Sequence, residues 1–77
     1  MKEVVLNNTT DANNWNAIAN EVSNIWNADA SEDQDFQVDG NDIIEYDLTE
    51  EEEPVYWKID TVSHNEDGTA SHAHLDC

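Results

Sequence analysis

The sequence predicts an α+β fold, with one amphipathic helix packed on a small antiparallel sheet in the order β-α-β-β-β-β. Three observations carry this. One stretch, residues 11–28, returns its apolar groups every three or four positions, the spacing of one helix face. Later stretches return theirs every second position between clusters of turn residues, as half-buried strands do. The chain also holds only two Gly and one Pro, with 38% hydrophobic residues including three Trp, two Tyr and one Phe, enough for a small core. A helix and a sheet, each apolar on one side, bury those sides against each other.

The first strand is read at Val4, Val5 and Leu6, followed by the turn cluster Asn7-Asn8-Thr9-Thr10. Thr10 or Asp11 is the expected N-cap, since either side chain accepts from the free N–H groups of a helix start. Asp11 also suits the positive end of the helix dipole. Trp15, Ile18, Ala19, Val22, Ile25 and Trp26 then form the apolar stripe, read as core. The opposite side is Asn13, Asn16, Asn20, Ser23, Asn24 and Asn27, polar but uncharged. Asn is a poor helix former, so packing must hold this helix more than propensity does.

From residue 35 the period becomes two. Phe36 and Val38 alternate with Asp35, Gln37 and Asp39, and Ile44, Tyr46 and Leu48 alternate with Glu45 and Asp47. The expectation is a hairpin turning at Asp39-Gly40-Asn41, apolar inside and lined outside by carboxylates. After a charged connection closed by Pro54, Val55, Trp57 and Ile59 mark the next strand, which extends to Ser63. Asn65-Glu66-Asp67-Gly68 is a turn, and residues 69–75 pair back as a last strand of low apolar content. No repeat or linker divides the chain, so residues 1–77 read as a single acidic domain.

Charge is the feature this fold does not require. Nineteen acids face Lys2 and Lys58, a formal net charge of -17. Net charge speaks to solubility and partners rather than to topology. Twelve of the nineteen lie in the base-free segment 29–53: Asp29, Glu32, Asp33, Asp35, Asp39, Asp42, Glu45, Asp47, Glu50, Glu51, Glu52 and Glu53. Duplex DNA carries one charge per ~1.7 Å of axis. A compact domain of this length is roughly 25–30 Å wide, so about 15 phosphates lie along the DNA it would replace. Direct nucleic-acid binding is contradicted, because that needs a basic footprint.

Other chemistries fit poorly. From Asp35, the calcium-loop pattern gives Asp35, Gln37, Asp39 and Gly40 in place, but the closing acid falls at Tyr46, with Glu45 one residue early. His72 and His74 lie on one side of a strand, with His64 across the preceding turn, a triad that reads better as surface residues than as zinc ligands. No metal or cofactor is assigned. Cys77 is the only cysteine, so no internal disulfide is available. With no nucleophile–base spacing and no Gly-rich phosphate loop, the chain does not read as an enzyme. No basic leader and no apolar run of ~20 residues occurs, and an anionic membrane would repel it. The expected location is the cytoplasm of a host cell.

The acidic run 29–53 and its Glu50-Glu51-Glu52-Glu53 block resemble the small, lysine-poor DNA mimics encoded by phages and mobile elements, among them anti-restriction and anti-CRISPR inhibitors. The resemblance implies a stoichiometric inhibitor occupying the basic DNA- or RNA-binding surface of a host defence protein or ribonucleoprotein complex. Its contacts would be the twelve acids of the segment, with Tyr56 as an aromatic anchor. The alternative is a halophilic or generic acidic interaction domain without mimicry.

Overall fold

The computed structural model describes residues 1–49 and 53–77. The acids Glu50, Glu51 and Glu52 lie outside the described residues. The elements are β1 (Lys2–Val5), α1 (Trp15–Asp29), β2 (Gln34–Asp39), β3 (Asp42–Asp47), β4 (Val55–His64) and β5 (Ala70–Asp76). The strands form one antiparallel sheet in the order β1-β5-β4-β3-β2, so β1 and β2 are its edges. The helix lies on one side, and the predicted α+β architecture holds. The molecule measures 43 × 20 × 19 Å, longer than the compact shape expected of its length.

The helix starts later than expected. Asn14, not Thr10 or Asp11, is the N-cap, its Oδ1 accepting from the Ala17 N–H at 3.1 Å. Asp11 instead turns the chain before the helix, accepting from the Asn13 N–H at 2.8 Å. It also bridges Thr69 across the molecule. Glu21 holds this entry in place, accepting from the Asn7 N–H and the Thr10 hydroxyl, both at 2.7 Å.

The apolar stripe packs as read. Ile18, Ala19 and Val22 are fully buried against Val4, Leu6, Ile43, Ile59, Ala70, Ala73 and Leu75. Alanines at 70 and 73 let the helix come close to β5. That explains how a last strand of low apolar content lies inside the sheet, between β1 and β4.

The asparagine side of α1 closes the β2 edge. The Asn27 side chain donates to the Phe36 carbonyl and accepts from the Phe36 N–H, both at 2.9 Å. It acts as a one-residue substitute for a neighbouring strand, satisfying groups that an edge leaves open. Asn16 donates to the Gly40 carbonyl at 2.6 Å, and the Gln34 N–H reaches the Ser31 carbonyl at 3.1 Å. Asn27→Ala gains helix propensity of about 0.5 kcal/mol but loses two hydrogen bonds of about 1 kcal/mol each. A net loss of ~1–2 kcal/mol is expected in denaturant melts, whereas Asn24→Ala, which sacrifices no such bond, is expected to gain a few tenths of a kcal/mol.

One sequence expectation is overturned in β3. The turn has two residues, Gly40 and Asn41, with Gly40 at φ 63° and Asp39 directly opposite Asp42. Glycine at the first central position is what a two-residue type II′ hairpin uses. The expected three-residue turn would have paired Val38 with Asp42; the actual one pairs Val38 with Ile43. A one-residue slip exchanges the two sides of a strand. Ile43 is therefore the fully buried residue under the helix, and Ile44 and Tyr46 face away from it. Glu45 and Asp47, expected outside, share the helix side of the sheet. Leu48, expected inside, is 66% exposed.

In β4 an extra residue, Asp60, bulges between the pairs Ile59–Leu75 and Thr61–His74. It lets Ile59 and Val62, three apart, both face the helix. The hairpin then closes through Asn65–Thr69, where Gly68 takes φ 86° and Asp67 accepts from the Thr69 hydroxyl and N–H. Those bonds hold the Asp67 carboxyl below its ordinary value of 3.8. The folded value is depressed, so the stabilisation is complete above the unfolded value and is lost as pH falls through the folded one. Asp67→Asn is expected to flatten that part of an acid-unfolding curve.

Candidate anionic interface

The side of the sheet away from the helix can be read row by row from the strand register. One row is Asp39–Asp42–Lys58–Asp76, crossing β2, β3, β4 and β5. The next is Gln37–Ile44–Tyr56, and beyond it comes Asp35–Tyr46. At the other end lie Thr61–His74–Glu3 and Ser63–His72–Val5. Tyr56 is 52% exposed. Ile44 is buried on this side, between Gln37 and Tyr56 in register. The hairpin half of this open side is thus an apolar and aromatic strip with aspartates on both flanks.

Its electrostatics are unbalanced. Asp39 and Asp42 are direct cross-strand neighbours, a like-charge arrangement that costs about 0.2–1 kcal/mol. Lys58 is next in the row, yet no ion pair joins it to Asp42 or Asp76 within 4.0 Å. The ion-pair contacts among the described residues are both histidine contacts to Glu3, from His74 at 3.6 Å and from His72 at 4.0 Å, and the histidines carry charge only when protonated.

The predicted contact residues do not form one surface. Asp35, Asp39, Asp42 and Tyr56 come together on the open side of the sheet. Asp29 closes the helix, and Glu32 and Asp33 lie exposed in the connection to β2. Glu45 and Asp47 lie on the helix side, where the Glu45 Oε1 accepts from the Trp57 indole N–H at 3.0 Å. Glu53 is exposed before β4. The expectation of a single outward row of carboxylates along the hairpin is corrected: β2 and β3 divide theirs between both sides of the sheet. Tyr46 and Ile44, read as core from the sequence, belong to the open side. Their signal was the glycine-first dipeptide at 40–41, which sets the turn length.

The partial calcium-loop match is the β2–β3 hairpin, with Asp35 and Glu45 on opposite sides of the sheet. His72 and His74 do share one side, and the His74 Nε2 lies 3.2 Å from the Ser63 hydroxyl. Among the described residues, no group of three or more His, Cys, Asp or Glu stands close enough to hold a metal ion. A groove at the start of α1, lined by Asp11, Asn13, Asn14, Trp15, Asn16 and Asn41, offers amides, one carboxylate and an indole. Among the described residues, no helix is long and apolar enough to cross a membrane.

Compared with known proteins, the chain matches no family model, no curated protein and no solved structure.

Proposed function

We propose that this chain is a non-catalytic, nucleic-acid-mimicking inhibitor that occupies the basic DNA- or RNA-binding surface of a host defence protein or complex of the restriction or CRISPR kind. The observation that carries the reading is the Asp39–Asp42 pair, left opposed and unneutralised on a side of the sheet the helix does not cover. Repulsion retained in a small domain acts against folding. It is recovered when lysines and arginines of a partner enter the field. Along 43 Å a duplex carries about 25 phosphates, and the chain sets 17 net negative charges against them. Asp35, Asp39 and Asp42 would steer the encounter, while Tyr56 at the centre would supply buried contact area.

The test is capture of targets from host lysate on the immobilised protein, competed with duplex DNA. Captured nucleic-acid-binding proteins should leave as DNA is added and as salt is raised. Retention of the same proteins under saturating DNA would sink the reading. Melting across a salt series separates it from halophilic adaptation. The mimic is expected to be folded in dilute buffer, with stability rising modestly as salt screens its repulsion, whereas a halophilic domain unfolds without molar salt.

A further inference from the structure

One of the two bases, Lys2, sits against aromatic rings. Lys2 projects from the edge strand β1 onto the helix side, opposite the fully buried Leu75. Its Nζ lies 4.9 Å from the Trp57 ring centroid and 5.4 Å from that of Trp26. These two rings meet nearly edge to face at 5.5 Å, and Phe36 backs Trp26 at 5.2 Å. Beside them, Glu45 fixes the Trp57 indole with Oε1, and its Oε2 accepts from the Gln34 amide at 3.4 Å. Among the described residues no carboxylate lies within salt-bridge distance of Lys2. Two half-buried indoles and an adjacent carboxylate therefore form a corner that already binds a cation.

We propose that Trp26, Trp57 and Glu45 form a receptor for an arginine side chain of the protein partner, and that Lys2 is an internal stopper displaced on binding. The proposal rests on the reading that the chain binds a basic protein and names one place where that protein is gripped. Cation–π contacts at exposed sites are weak, so an ammonium on a flexible stem leaves readily. A guanidinium suits the corner better, because it is planar, stacks on aromatic faces and can donate two hydrogen bonds to one carboxylate. The corner lies on the opposite side of the sheet from Asp39 and Asp42. A channel that encloses a duplex touches it from more than one side, so both surfaces can be engaged together.

The experiment titrates ¹⁵N-labelled protein with a short oligoarginine peptide at about 0.15 M salt and follows the three indole N–H resonances. The Trp26 and Trp57 signals are expected to move, with Trp15 as the still reference. Lys2→Met should tighten the binding read at Trp57 about two- to five-fold, the loss of one exposed cation–π competitor. Lys58→Met makes the same change in net charge on the other side of the sheet and should tighten it clearly less. Equal tightening by the two variants reduces the effect to bulk electrostatics and overturns the proposal. Shifts confined to the amides of Asp35, Asp39 and Asp42 also overturn it, while leaving the anionic surface in place as the binding site. No shift anywhere removes both.

Discussion

If the proposed inhibitor function holds, replacing Asp35, Asp39 and Asp42 together by lysine is expected to weaken binding to a basic target about 10²–10³-fold at ~0.15 M salt, with stability little changed. The binding loss corresponds to roughly 1 kcal/mol or a little more per reversed residue, the scale of a solvated charge pair at contact. Stability is not expected to fall with it, because the exchange lowers a net charge of -17 by six units, which offsets the lysine–lysine oppositions it creates at 39–42 and 42–58. This difference between binding and stability makes the result informative. A general loss of structure would lower both quantities; loss of an interface lowers only one. Titration calorimetry against the captured target, paired with urea melts, reads both. Unchanged affinity would remove the open side of the hairpin from the interface.

Ile43→Ala is expected to cost ~3–4 kcal/mol, while Ile44→Ala costs about 1–2 kcal/mol. Both residues are buried in a static sense, but Ile43 has no exposure and packs in the helix–sheet core, whereas Ile44 keeps 8% and lies on the side away from the helix. Truncating the first leaves a cavity that neighbouring side chains cannot easily fill, and truncating the second opens a site that solvent can reach. For a domain of this size the larger figure is a major share of total stability. Denaturant midpoints of the two variants decide it; equal costs would contradict the two-residue turn and the face assignment that depends on it.

The parts of the fold that were legible in the sequence are those where a single period dominates. Trp15 to Trp26 repeats at helical spacing over three turns, and its placement follows. Phe36 and Val38, and Trp57 and Ile59, alternate cleanly and face the helix as read. β3 was not legible in the same way, because Ile43 and Ile44 are adjacent and either can be the inward residue. Alternation cannot choose between them, and the length of the turn does. The helix start was missed because Asn14 has a capping side chain just as Thr10 and Asp11 do; tertiary bonds from Glu21 and Thr69 engage the earlier two and settle which one is used. The candidate site was legible in amount but not in position. Composition gave the charge, and register divided it between two sides of a sheet. The cation corner had no linear signal at all, since Lys2, Trp26, Glu45 and Trp57 meet only when β1 and β3 are placed on either side of β4 and β5.

The Gly40–Asn41 turn also bears on how such a surface can change over generations. With an isoleucine available at both 43 and 44, a codon gained or lost in that loop rotates β3 by half a turn and still leaves one isoleucine in the core. Such a lineage would trade Asp42, Ile44 and Tyr46 for Ile43, Glu45 and Asp47 on its outward side in a single mutational event. A protein locked in competition with a changing target would then have a route to a different recognition surface that point substitutions reach only in several steps.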